Sequence, residues 1–279
     1  MISQMEKRLE DYENDPQVKL VILKGNGKAF CAGGDNIAIY KFLTAGDWSF
    51  GSSYFNKLFT LQYLVSTYKK PLVAILDGVV MGGGAAVSML ADFKIVTENT
   101  VFSVPEGALG SSIGDSYSLS RLPGYFGEYL ALTGVQIDGA EMIECGLATH
   151  FVFSKDLRPL ENALEKVDSP DTSAISQLIR KFMHKPNIKQ HSVYNRLPTV
   201  NKCFSGETVE DILLSLVRIF VEEKTVNSDV YEWQPSKLEL VTKEMVDRCF
   251  DKLVNEKNLE FLISPSRSKL VDNIVSSKL

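Results

Sequence analysis

The chain has 279 residues, 44% of them hydrophobic, and a net charge of -5. This length and apolar content allow a sizeable buried core in one or two domains. The acidic balance, without a basic stripe, argues against nucleic acid as a partner. No apolar run reaches the length of a membrane span, because the longest, Lys70 to Met89, is broken by Asp77 and glycines.

In chain order, Met1 to Glu13 predicts a helix with Ile2, Met5, Leu9 and Tyr12 on one face, stopped by Asn14-Asp15-Pro16. The same stretch has no apolar h-region and so does not read as a signal peptide. Val18 to Leu23 predicts a buried strand, and Gly25-Asn26-Gly27 turns it into AFCAGGD. Residues 50–68 predict a helix with Tyr54, Leu58, Leu61, Leu64 and Val65 on its apolar face. Pro71 to Leu76 predicts a second buried strand, running through Asp77-Gly78 toward GGGAAVSMLADF, a glycine turn and a buried helix. Short strands follow at Lys94-Ile95-Val96 and Val101-Phe102-Ser103. Strands alternating with helices give an α/β class with parallel pairing. From about Phe151 strand signals fade, and helices are predicted at 156–167, 171–183, 207–223 and 238–254. The expected organisation is an α/β core over 1–152, a helical region over 153–270 and a tail over 271–279.

The four cysteines, Cys31, Cys145, Cys203 and Cys249, have no metal-ligand spacing and are expected as free thiols in a reducing compartment. His150, His184 and His191 form no metal-like pattern and read as structural or surface residues. Lys69-Lys70 and the pair Lys185 and Lys189 read as solvated basic faces. The C-terminal Ser277-Lys278-Leu279 matches an address read by a peroxisomal import receptor, so the peroxisome is the expected compartment.

Two glycine-rich turns carry the chemistry: Ala32-Gly33-Gly34, followed by Asp35, and Gly82-Gly83-Gly84. Each follows a predicted strand and precedes a helical segment. Backbone N–H groups there lack partners and carry partial positive charge, and glycine lets a ligand oxygen approach closely. Either cluster alone reads equally as a tight turn or close packing. Neither has the spacing of a phosphate loop or a dinucleotide fingerprint.

The spans KLVILKGNGKAFCAGGD, KPLVAILDGVVMGGGAA and FSVPEGALG, in this order, resemble the crotonase (enoyl-CoA hydratase/isomerase) superfamily. The resemblance implies a crotonase-like stack of β-β-α turns with a helical C-terminal region. It also implies an oxyanion hole in which the N–H groups of Gly34 and Gly83 hold a CoA thioester carbonyl. Ala32, Gly33, Asp35, Gly82 and Gly84 would form the substrate-binding turns around it. CoA is then part of the substrate, and no separate cofactor or metal is expected. Hydratases of the superfamily use two glutamates. Ala86 stands at the place of the first, and Glu106 matches the second, which disfavours alkene hydration.

The stretches SRLPGYFGEYLALTGVQIDGAEMIECGLATHFV, HSVYNRLPTVNKCFS and WQPSKLELVTKEMVDRCF resemble 3-hydroxyisobutyryl-CoA hydrolases, a group tied to valine catabolism. There a Glu and a downstream Asp serve the thioester, implying catalytic roles for Glu106 and Asp115; Asp115 also suits a helix N-cap before Ser116. The chain departs from that pattern at four places. The leading strands are absent, Leu58 stands where a glutamate lines the family's site, the loop from Gly110 to Asp115 is altered, and a helical stretch near Leu216 is missing. Two other readings stay open: another crotonase reaction such as enoyl isomerisation, and a non-catalytic acyl-CoA-binding paralogue. A homo-oligomer is compatible with each.

Overall fold

The computed structural model describes residues 1–109 and 116–223. Helix α1 (Ile2–Asn14) opens the chain and ends at Asp15, whose backbone is extended ahead of Pro16. Strands β1 (Val21–Lys24) and β2 (Ala29–Cys31) flank a glycine corner, and helices α2 (Asn36–Thr44) and α3 (Trp48–Ser66) follow. The next unit is β3 (Leu72–Leu76), β4 (Val79–Met81) and α4 (Gly82–Ser88). Strands β5 (Phe93–Val96) and β6 (Val101–Ser103) then lead into a 3-10 helix at Pro105–Leu109. Beyond the loop come α5 (Ser116–Leu119), α6 (Phe126–Thr133), β7 (Ile137–Asp138), α7 (Gly139–Glu144) and β8 (His150–Phe151). Helices α8 (Leu157–Leu164), α9 (Thr172–Arg180), α10 (Leu197–Phe204) and α11 (Val209–Glu223) complete the described part. The helix expected over 238–254 and the tail over 271–279 lie outside the described residues.

Each β-β unit splits between two sheets. The first sheet has the order β1-β3-β5-β8, all parallel, and the second β2-β4-β6-β7, parallel except for β7. This is the stack of β-β-α turns expected from the sequence. The corners between sheets are tight. Gly78 has a φ of +80°, and a Cβ there would sit 2.2 Å from the Lys28 carbonyl oxygen, so only glycine fits. Thr100 Oγ1 donates to the Leu76 carbonyl at 2.6 Å, and Thr97 Oγ1 to Asp77 Oδ1 at 2.6 Å, which ties the corners of successive units together.

The apolar run of β3 is buried along its whole length, as a parallel strand covered on both faces requires. On one face Val73 and Ile75 join Phe93, Ile95 and Val152 in a core closed by Leu157, Leu160, Leu164, Ile175 and Ile179. The helices α8 and α9 therefore share a core with the first sheet. Residues Met1–Ser215 form one compact unit, and a second begins at Leu216, of which only the end of α11 is described.

Strand β1 begins at Val21 rather than Val18 because its partner begins at Leu72: Val21 N–H donates to the Pro71 carbonyl at 3.0 Å, and no ladder precedes it. Helix α1 packs on α3 and is pinned at its C-terminal half. Tyr68 Oη donates to the Leu9 carbonyl at 2.7 Å, and Lys70 Nζ donates to the carbonyls of Tyr12, at 2.6 Å, and Asp15. Lys69 pairs with Glu13 at 3.4 Å. The Lys69-Lys70 face is thus partly consumed in holding α1.

Candidate active site

Three segments leave the same end of the second sheet. Cys31 pairs with Val80 and Met81 with Ser103, so β2, β4 and β6 finish at similar levels. The chain then runs into Ala32-Gly33-Gly34, Gly82-Gly83-Gly84 and Pro105-Glu106 respectively.

The two glycine turns touch through their backbones. Gly33 and Gly82 have φ of +98° and +65°, the left-handed region that L side chains rarely adopt. A Cβ on Gly82 would lie 2.6 Å from Gly33 Cα, and one on Gly33 would lie 3.9 Å from Gly83 N. Gly84 is held bare by Cys31, whose Cβ would be 2.2 Å from an added Cβ. The Cys31 sulfur accepts from Gly33 N–H at 3.3 Å, which gives this thiol a structural place in the turn. Gly83 is the second residue of α4, so its N–H belongs to the first turn, where no intrahelical acceptor exists. Asp35 caps α2, its Oδ1 accepting from Ala38 N–H at 3.0 Å, while Ala32 is exposed at the turn.

A cavity of about 610 Å³ opens against these turns. Gly33, Gly34, Gly83 and Gly84 form one part of its wall, and Tyr54, Leu58 and Leu61 of α3 another. Met1, Ile2 and Met5 bring α1 to its rim. Its size and apolar lining suit a small-molecule site. Leu58 is 3% exposed, and its Cδ2 would stand 3.3 Å from a Cβ on Gly83. Tyr54 Oη would stand 2.2 Å from a Cβ on Gly34. The sequence counted Tyr54 only as an apolar position of α3. Its signal was the polar tip, which a buried helix face must partner or aim at a ligand.

Glu106 sits in the 3-10 helix Pro105–Leu109 and is only 3% exposed. Its Oε2 is buried and has no hydrogen-bond partner among the described residues. Burial pushes its carboxyl above the usual carboxylate range, against a smaller pull from its own backbone N–H. Glu106 is not part of the wall of the 610 Å³ cavity; it stands at the adjoining strand end. Asp115 lies outside the described residues, so its approach to Glu106 is not described. Ala86 is buried within α4 and brings no carboxylate.

The remaining candidates serve the scaffold. His150 is buried with Nδ1 2.8 Å from Thr149 Oγ1, and burial lowers its pKa. His184 Nε2 lies 3.2 Å from Asp156. Lys189 pairs with Asp138 at 2.9 Å beside a bond from Ser192 Oγ to buried Glu141, which staples the 189–192 segment to α7. Burial pushes the Cys145 thiol up to about 12, so it stays protonated. Among the described residues, no group of three or more His, Cys, Asp or Glu is placed to hold a metal, and no helix is long and apolar enough to cross a membrane.

A model of the enoyl-CoA hydratase/isomerase family matches residues 1–230. "Probable 3-hydroxyisobutyryl-CoA hydrolase 3" of Arabidopsis thaliana is 50% identical over 225 residues, 80% of this chain and 60% of that protein. The chain thus spans about three fifths of that relative's length. The "3-hydroxyisobutyryl-CoA hydrolase, mitochondrial" of Gallus gallus is 33% identical over 91% of this chain and 83% of its own. Among solved structures, a carnitinyl-CoA dehydratase from Mycobacterium thermoresistibile superposes with a TM-score of 0.77 at 25% identity, covering 95% of this chain and 91% of that one. These relatives correct the expected compartment. The chicken protein and an Arabidopsis hydrolase-like protein are named mitochondrial, against the peroxisomal reading of Ser277-Lys278-Leu279, a tripeptide outside the described residues. A three-residue address is short enough to arise in a polar tail without being read. With the glycine turns, the two-sheet stack and the match over residues 1–230 in agreement, the chain belongs to the enoyl-CoA hydratase/isomerase family.

Proposed function

We propose that this chain hydrolyses a small branched 3-hydroxyacyl-CoA thioester of the 3-hydroxyisobutyryl-CoA type, as met in valine catabolism. The observation that carries the reading is the buried Glu106 oxygen without a partner, set at the strand end beside the two touching glycine turns. A buried unpaired acceptor of this kind needs a reason, and a proton to accept supplies one. The acyl group would enter the 610 Å³ cavity with its carbonyl oxygen toward the N–H groups of Gly34 and Gly83. Glu106 takes a proton from water as the water oxygen adds to the carbonyl carbon. The negative charge moves to the carbonyl oxygen, where each backbone donor contributes about 3 kcal/mol to the transition state. The carbonyl then re-forms as the C–S bond breaks, and the thiolate takes the proton held by Glu106, leaving as free CoA and restoring the carboxylate. CoA enters and leaves as part of the substrate, so this route calls for no separate cofactor. Ala86 supports hydrolysis over hydration, since no second carboxylate stands on α4 to share a water for addition to an alkene.

The test is free-thiol release from 3-hydroxyisobutyryl-CoA by the wild type and by Glu106→Gln. The variant is expected to be slower by about 10²-fold or more while keeping its fold. Equal rates would remove Glu106 from the mechanism. An unsaturated or isomerised product by mass, without thiol release, would replace hydrolysis with another reaction of the family.

A further inference from the structure

We infer that the Tyr54 hydroxyl selects acyl chains that carry their own oxygen substituent over plain aliphatic chains of the same shape; this rests on the acyl-thioester reading above. Tyr54 lies on α3 one turn before Leu58 and two before Leu61, and all three face the cavity. Its Oη fills the space that a Cβ on Gly34 would occupy, with 2.2 Å between them. The absent side chain of Gly34 therefore admits this hydroxyl as well as a ligand. The Tyr54 hydroxyl makes no hydrogen bond to any described residue.

The other polar groups of the cavity wall are engaged or solvent-exposed. The Cys31 sulfur is taken by Gly33 N–H, and the Asp35 carboxylate caps α2. Ser53 and Lys57 are exposed. Lys24, also in the wall, is paired with Glu161 at 2.7 Å, and Phe30, Phe50, Leu58, Leu61 and Val87 supply apolar surface around Tyr54. Burial, with a smaller contribution from Cys31, pushes the tyrosine's pKa up from its ordinary value, so it stays a neutral O–H at physiological pH. A neutral tyrosine both donates and accepts, as a substrate hydroxyl does. A glutamate at position 58, as the family pattern has it, would only accept when ionised. Leu58 here is committed to packing over Gly83, and Tyr54, one helical turn before it, brings a hydroxyl to the same cavity. An alkyl group in the same place would leave the Tyr54 O–H unpaired in an apolar wall, which costs binding.

Binding to 3-hydroxyisobutyryl-CoA and to isobutyryl-CoA is measured by calorimetry in the Glu106→Gln background, where the esters persist, with and without Tyr54→Phe. With Tyr54 present the hydroxylated ester is expected to bind about tenfold tighter, the effect of one satisfied hydrogen bond. In Tyr54→Phe the two affinities are expected within about twofold, with only the hydroxylated ester weakened. Tyr54→Met supplies a second hydroxyl-free side chain if the phenylalanine variant melts early. A preference that persists in these variants, or that is absent with Tyr54 in place, overturns the role of Tyr54 alone. Binding of neither ester by a folded protein overturns the acyl-thioester reading and this inference with it.

Discussion

Glu106 concentrates the chemistry of this chain in one buried carboxyl, and its environment fixes how it responds to pH. Desolvation raises its folded-state pKa above the ordinary value of 4.5. If the carboxylate is the base, thiol release rises with pH through that raised pKa, and a pH–rate profile on 3-hydroxyisobutyryl-CoA checks it. Stability moves the opposite way. A folded pKa above the unfolded one gives a contribution fully present below the unfolded value and lost as pH rises through the folded value. At neutral pH the unpaired carboxylate is therefore a burden, and Glu106→Gln is expected to gain about 1 kcal/mol in urea unfolding. At pH 3.5 the two proteins should unfold alike. A variant that is less stable at neutral pH would mean that the carboxylate is well solvated or paired. Glu106 could be read from the Pro-Glu motif, but its isolation could not, because an unpaired oxygen is a property of everything packed around it.

The paired glycine turns work as an element. Their residue types are local signals, and the positive φ of Gly33 and Gly82 is what the run of glycines implies. What the pairing adds is contact: Gly82 is also barred from carrying a Cβ by Gly33 of the other turn. Gly82→Ala is expected to cost about 2–3 kcal/mol and to abolish thiol release, because both the backbone and its neighbour must shift. Gly46 has a φ of +83° with no atom within 4 Å of an added Cβ, so Gly46→Ala should cost only about 1 kcal/mol. Chemical denaturation of the two variants separates strain from collision, and equal losses would remove the turn-to-turn contact from the account. At this scale β3 was readable as a continuous apolar run, whereas β2 and β4 were not. Each has three residues, too few to show a period of two, and becomes a strand only by pairing within the second sheet. Helix α2 was missed because Ile37 and Tyr40 are exposed and give no buried stripe.

Across the whole molecule, helices α8 and α9 are a layer on the first sheet. Leu160, Ile175 and Ile179 are fully buried against strand residues such as Val73 and Ile95. Leu160→Ala should therefore lower stability by about 3 kcal/mol. It should do so through one transition shared by Met1–Ser215, with the denaturant slope unchanged. A separate early transition for α8 and α9 would show that they fold apart from the sheets. The amphipathic spacing announced these helices, but not which surface they cover.

The sequence by itself determined the alternation of apolar strands and helices, the glycine turns and the absence of a second carboxylate at Ala86, and its motifs carried the family resemblance. These are signals of residue type and spacing, carried within stretches of a few residues. Only the tertiary structure decided that Gly33 and Gly82 touch, that Leu58 packs over Gly83 and that the Tyr54 hydroxyl occupies the space at Gly34. Those contacts join segments 20 or more residues apart, and nothing in either segment alone fixes the distance between them. Packing does, through the parallel stack that brings the ends of β2, β4 and β6 to one edge.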